Sequence, residues 1–283
     1  MQADSRRYHP ILIPLIRNSI DTSSEMRSSY LSEDGLELLS IVLMQTPSEA
    51  VSPDIISLVQ YVLPLIDIRS AKKTLDIIEL YIYLIPTEIL SNVAIVLAPL
   101  VSLLRSARRE GTGTATSLVE ILIRQAESIG GITAVSELTQ SLLSSNWLSV
   151  TLSGLHKAFL AHQTSGPNRM TSSIDGVVET DYLNVLARLA VASPSLFITA
   201  LDATNYSDEE PQGTLSQKLD WLLTEWFSHI DSIGHPVHKK LHCLALTSLL
   251  ETAQPWILGR LQSLMTVVSE RTTRGTMLWW DKD

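Results

Sequence analysis

The sequence predicts an all-α protein, a solenoid made by stacking about six helix pairs, and three observations carry that prediction. Apolar residues recur at helical spacing almost throughout, and no stretch shows the strict alternation of a half-buried strand. Of the 283 residues 45% are apolar but only 6% aromatic, a mixture of Leu, Ile, Val and Ala that fills layers between helices without large rings. Gly and Pro number 12 each, too few for a many-turned β protein or a disordered chain.

The clearest helix is 215–230, "LSQKLDWLLTEWFSHI". Leu215, Leu219, Leu222, Leu223, Trp226 and Ile230 form one stripe, with Gln217, Lys218, Asp220 and Glu225 outside it. In 53–66, "PDIISLVQYVLPLI", the stripe runs through Ile55, Val59, Val62 and Ile66. Short breakers separate such segments: "TPSEAVSP" (46–53), "IPTE" (85–88), "GTGT" (111–114) and "SIGG" (128–131), lengths that join neighbouring helices. Helices are therefore expected near 8–20, 31–45, 54–67, 71–85, 87–105, 115–129, 132–145, 147–162, 178–191, 195–203, 215–231, 236–251 and 255–270.

Pairs begin near Tyr8, Pro53, Thr87, Ile132 and Val178, a spacing that wanders around the roughly 40–47 residues of HEAT and armadillo units. The expected architecture over 1–283 is thus a HEAT-repeat, armadillo-like, right-handed solenoid. Several helices are apolar on two sides. In "LDIIELYIYLI" (75–85), Leu75, Ile78 and Ile82 share one face and Ile77, Tyr81 and Leu84 another, as a helix between two neighbours requires. Pro14 and Pro64 lie within helical patterns, where each removes a donor and bends or ends a turn. Two polar, turn-rich stretches, 164–176 and 203–214, are expected to be mobile loops.

A net charge of −9 argues against nucleic acid, which needs basic residues gathered on one face. The nearest cluster, Arg105, Arg108 and Arg109, complements the C-terminal dipole of a helix. One cysteine, Cys243, within the apolar "LHCLALTSLL", suggests a buried thiol in a reducing compartment. No signal-peptide core and no run of about 18 apolar residues appear, so a soluble intracellular protein without membrane contact is expected.

Candidate chemistry is sparse. In "YLSEDGLELL" (30–39), Ser32 is a natural N-cap, which places Glu33 and Asp34 in a positive first turn and Glu37 on the same face as Glu33. Helix-start electrostatics accounts for these carboxylates better than acid catalysis does. Gly35 weakens that helix and suggests close approach by another backbone, or drift. His238 and His242 lie one turn apart beside His235 and Cys243, but Lys239 stands where a zincin needs Glu, so a solvated helix face is expected rather than a metal. No nucleophile elbow exists, and "GTGT" lacks the ending of a phosphate loop. No catalytic residue, cofactor or metal is expected. Trp221 projects to the polar side of its helix, where either the next repeat covers it or a partner does, and Trp279 and Trp280 raise the same choice.

"YHPILIPLI" (8–16), "YLSEDGLELL" (30–39), "IELYIYL" (78–84) and "VHKKLHCLALTSLL" (237–250), in this order, resemble the C-terminal part of the importin-eleven branch of the importin-β (karyopherin) family. The resemblance spans most of the chain and is loosest over 105–175. It implies a fragment of a superhelical HEAT-repeat receptor that carries protein cargo through the nuclear pore, shuttling between cytoplasm and nucleus. It also implies release of cargo by the GTP-bound GTPase Ran, and contacts with phenylalanine-glycine nucleoporins. The family's main Ran-binding repeats lie near the N-terminus of receptors several times longer than this chain.

No family motif assigns roles to single positions here. An acidic surface would select basic nuclear proteins, so Glu33, Asp34, Glu37, Asp208, Glu209, Glu210 and Trp221 are the partner-binding candidates. The competing readings are a HEAT scaffold that organises another assembly and, from a different class, a helical metalloenzyme or hydrolase.

Overall fold

The computed structural model describes residues 5–23, 25–67, 71–105, 109–164, 172, 174–206, 213–262 and 265–266. Every regular element among them is helical. The chain divides into two compact units, Met1–Trp147 and Leu148–Asp283.

In the first unit, α1 (His9–Ile20) packs on α2 (Glu25–Gln45), and α2 packs in turn on α5 (Ala71–Leu84). Between them lie α3 (Pro53–Ser57), α4 (Val59–Val62) and a 3-10 turn, Leu63–Asp67. The continuous helix expected over 54–67 is thus broken. Pro64, which has no amide hydrogen to donate, falls in the tighter 3-10 segment. α5 contacts α8 (Arg109–Ser144), which is also covered by α6 (Pro86–Ser91) and α7 (Val93–Arg105). Ile77, Ile78, Tyr81 and Ile82 of α5 are all buried, as its two apolar faces require. The Tyr81 hydroxyl donates to the Ile55 carbonyl at 2.8 Å, which ties α5 to α3, and burial pushes its pKa upward.

Three expectations fail here for one reason: packing against a neighbour outranks local signals. α2 begins at Glu25, so Ser32 is no N-cap but an interior residue. It continues the buried stripe Ser32, Leu36, Leu39, Leu43 on a helix that packs against both α1 and α5. Glu33 and Asp34 accordingly do not occupy a first turn. Gly35 serves close approach: a Cβ there would come within 2.7 Å of Ser19 Cβ and 2.9 Å of Ile20 Cγ2. "GTGT" is likewise helical rather than a turn, and a Cβ on Gly111 would meet Leu103 Cδ2 at 2.8 Å. The break expected at "SIGG" does occur, at Gly131, whose φ of 56° interrupts α8.

The second unit contains α9 (Trp147–Gln163, from Leu148 onward), α10 (Gly176–Ala192), α11 (Pro194–Ala203), α12 (Leu215–His229), α13 (Pro236–Ser248) and α14 (Pro255–Gly259). Each start from α10 to α12 has its cap. Asp175 accepts from Val177 and Val178 amides, Ser193 from Leu196, and Thr214 and Gln217 form a reciprocal capping box. Pro194, Pro236 and Pro255 occupy first helical turns, where the missing donor costs nothing. α10 is the central element, packed by α11, α12 and α13 and buried almost all round, from Val178 and Glu179 through Tyr182 to Ala190. Burial, with Asp181 nearby, pushes the Tyr182 hydroxyl up to about 12.

Of the two expected loops, residues 165–171 and 173 of one and 207–212 of the other lie outside the described residues, as do Trp279 and Trp280. Cys243 is half-buried rather than buried.

Candidate functional site

The sequence candidates divide between surface and interior. Glu33, Asp34 and Glu37 point to solvent from α2, on the side away from its buried stripe. Glu37 reaches Lys73 of α5 at 3.2 Å, an exposed pair of small energetic weight. Asp208, Glu209 and Glu210 lie outside the described residues.

Trp221 is interior, only 6% exposed, which corrects the reading of an exposed partner contact. Its Nε1–H donates to the Tyr206 hydroxyl at 3.1 Å. Its ring lies 5.0 Å from that of His156, 5.4 Å from Tyr206 and 6.2 Å from Phe159. Part of the polar side of α12 thus faces a second neighbour, while Gln217 stays exposed.

The same correction applies to Lys218 and Glu225, which the sequence places outside the stripe and the fold buries to 2% exposure each. Lys218 Nζ donates to three carbonyls at the end of α11: Leu201 at 3.1 Å, Asp202 at 2.7 Å and Thr204 at 2.8 Å. An ammonium group there satisfies the orphan carbonyls and complements the helix dipole. Burial lowers the Lys218 pKa, opposed by the Asp202 charge.

Glu225 belongs to a cluster that sequence spacing does not reveal. Its Oε1 lies 2.8 Å from His162 Nδ1 at the end of α9 and 3.1 Å from His229 Nε2, one turn along α12. Glu179 of α10 brings Oε2 to 2.6 Å from the same His229 nitrogen. One nitrogen or oxygen atom from each of the four side chains lies within 4.8 Å of the other three. The Glu179 carboxylate, then Glu225, raises the His229 pKa to about 9 against the opposing effect of burial. Burial by itself would raise Glu225, but hydrogen bonds and charge from His229 and His162 hold it below its usual value. The only advance signal was the Glu225/His229 pair at i, i+4 on α12; its partners come from α9 and α10 and are invisible to local spacing.

His242 is also interior, so the expected solvated face at 238–242 is corrected. The Trp226 Nε1–H donates to His242 Nδ1 at 2.6 Å, and His242 Nε2 meets Asn184 Oδ1 at 2.7 Å. A donor on Nδ1 leaves the proton on Nε2, so the ring is neutral and donates to Asn184. That network consumes both nitrogens structurally. Among the described residues no helix is long and apolar enough to cross a membrane.

Comparison with known proteins bears on what these helices belong to. A family model described as "Importin-11-like, TPR repeats" matches residues 1–274. Human Importin-11 is 28% identical over 255 residues, 88% of this chain and 23% of the relative, and mouse Importin-11 is 29% identical over the same shares. The chain therefore spans about a quarter of the length of these relatives. Among solved structures, that of Lph2, titled a novel bidirectional nuclear transport receptor in S. cerevisiae, superposes with a TM-score of 0.75 at 22% identity. That match covers 95% of this chain and 28% of the other, and it shows a shared helical-repeat fold. The family description names the helix pairs TPR repeats where their spacing suggests HEAT units; both are stacked helix hairpins whose cores run between neighbours. With its family model matched over almost the whole length, the chain belongs to the importin-11-like family of the importin-β transport receptors.

Proposed function

We propose that this chain is a segment of a nuclear transport receptor that contributes to binding protein cargo for import, with loading and release governed by Ran-GTP in the full receptor. The observation that carries the reading is the family match over residues 1–274. Non-enzymatic work follows from it: the segment supplies surface and curvature, and shuttles with its receptor between cytoplasm and nucleus through weak contacts with phenylalanine-glycine nucleoporins.

The net charge of −9 supports basic nuclear proteins as the cargo class, because a negative surface attracts them over long range and disfavours acidic competitors. Glu33, Asp34 and Glu37, exposed together on α2, are the described candidates for that contact, and Asp208, Glu209 and Glu210 the others. Trp221 is left out because the unit's own aromatic residues cover it.

The test is capture from nuclear extract on the immobilised chain at low and high salt, with and without Ran-GTP, beside binding to phenylalanine-glycine peptides. Salt-sensitive capture of basic nuclear proteins together with weak peptide binding is expected. A folded chain that takes neither peptide nor basic protein would favour the HEAT-scaffold alternative.

A further inference from the structure

We infer that His162, Glu179, Glu225 and His229 form a binding site for one zinc-type divalent transition-metal ion, which fastens α9, α10 and α12 together within the second unit.

The donor set has the right chemistry. Two imidazole nitrogens and two carboxylate oxygens are ligands that zinc takes in four-coordinate sites. Three of the four residues are buried, and His162, with its side chain 42% exposed, gives an ion its route from solvent. The charges also balance: two carboxylates carry −2, and a divalent ion cancels them with both imidazoles neutral, leaving no net buried charge.

A second observation points into the cluster independently. Glu179 Oε2 is fully buried, and beyond the 2.6 Å contact with His229 Nε2 it has no hydrogen-bond partner. Glu225 Oε1 approaches the same ring nitrogen at 3.1 Å. One ring N–H is thus divided between two carboxylates, which weakens its hold on each. A cation at the centre of the four atoms satisfies both at once.

The spacing is compatible. Metal–ligand distances of about 2.0–2.2 Å put neighbouring ligand atoms roughly 3.3 Å apart in a tetrahedron. Here the closest pairs are 2.6, 2.8 and 3.1 Å, and no pair exceeds 4.8 Å. Side-chain shifts on the order of 1 Å bring all four atoms onto one ion. Glu225 and His229 come from a single helical face, while His162 and Glu179 come from two other helices, so the ion would act as a cross-link.

The experiment uses the full chain, stripped with a chelator and titrated with Zn²⁺ by calorimetry, with Co²⁺ as the spectroscopic probe. Expected are one ion per chain, intense visible cobalt absorption of a four-coordinate nitrogen and oxygen site, and a higher melting temperature with zinc. His162→Ala, at a partly exposed position that leaves the fold intact, should weaken binding at least about tenfold. Glu179→Gln, if it folds, should abolish stoichiometric binding. The adjacent rings of His235 and His238, 5.5 Å apart, offer an adventitious surface site, so the double variant His235→Ala/His238→Ala serves as the control and should bind as the parent does. Absence of saturable binding, full-strength binding by His162→Ala, or loss of binding in the control variant would overturn the proposal and leave the cluster as hydrogen-bonded charge alone.

Discussion

The two units solve the problem of burying helices in different ways. In the first, the buried polar side chains among the described residues are small hydroxyls and His9, and Thr46, Thr116 and Thr139 return their hydroxyls to the carbonyl one turn back. In the second, the interior holds Glu179, Lys218, Glu225, His229, Asn184 and His242. Each of these meets groups on other helices, as Lys218 does with the end of α11 and His242 with Trp226 and Asn184. The first unit is specified mainly by shape, through apolar stripes and glycines that let backbones close up. The second adds partners that must find one another, so a wrong register there strands a charge or a donor.

That contrast can be broken by substitution, and the largest effect belongs to the second unit. Lys218→Met keeps the stem's volume but removes the ammonium from three buried carbonyls, and it should lower unfolding free energy by about 3 kcal/mol in denaturant titration. His242→Leu strands the Trp226 N–H and the Asn184 amide together, and about 2 kcal/mol is expected by the same measurement. A result near zero for both would mean the buried polar groups contribute nothing beyond filling space.

In the first unit Gly35→Ala gains helix propensity but drives a methyl into Ser19 and Ile20, for a net loss of about 1 kcal/mol. Thr46→Val removes only a local hydroxyl-to-carbonyl bond and should shift stability by less than about 1 kcal/mol. Charge reversal of Glu33, Asp34 and Glu37 together, on an exposed face, should leave the melting temperature nearly unchanged while weakening capture of a basic cargo protein. Unchanged capture would remove α2 from the cargo surface.

Much of the fold was legible in the sequence because its signals are local. The stripe of 215–230 marks α12, and "SIGG" marks the break at Gly131. The misreadings share one cause. A helical wheel sorts residues by one apolar side, but a helix between two neighbours has two buried sides, and the second is free to be polar. Lys218, Trp221 and Glu225 all lie on that second side of α12. Ser32 and "GTGT" failed similarly, since the packing of α2 on α1 and of Gly111 on Leu103 of α7 comes from tertiary structure. The metal-type cluster was illegible because His162, Glu179 and the Glu225/His229 pair stand far apart in sequence and meet only when three helices pack.

The Lys218 clamp changes what the chain between α11 and α12 has to do. Its ammonium grips the carbonyls ending one helix from the first turn of the next, and the Thr214–Gln217 box fixes where that next helix starts. The angle between the helices is thereby set at the joint itself and not by the length of the connection. Doubling the connecting stretch should then cost only about 0.6 kcal/mol of closure entropy. A connection relieved of geometry is free to change in length and charge while α11 and α12 keep their mutual placement.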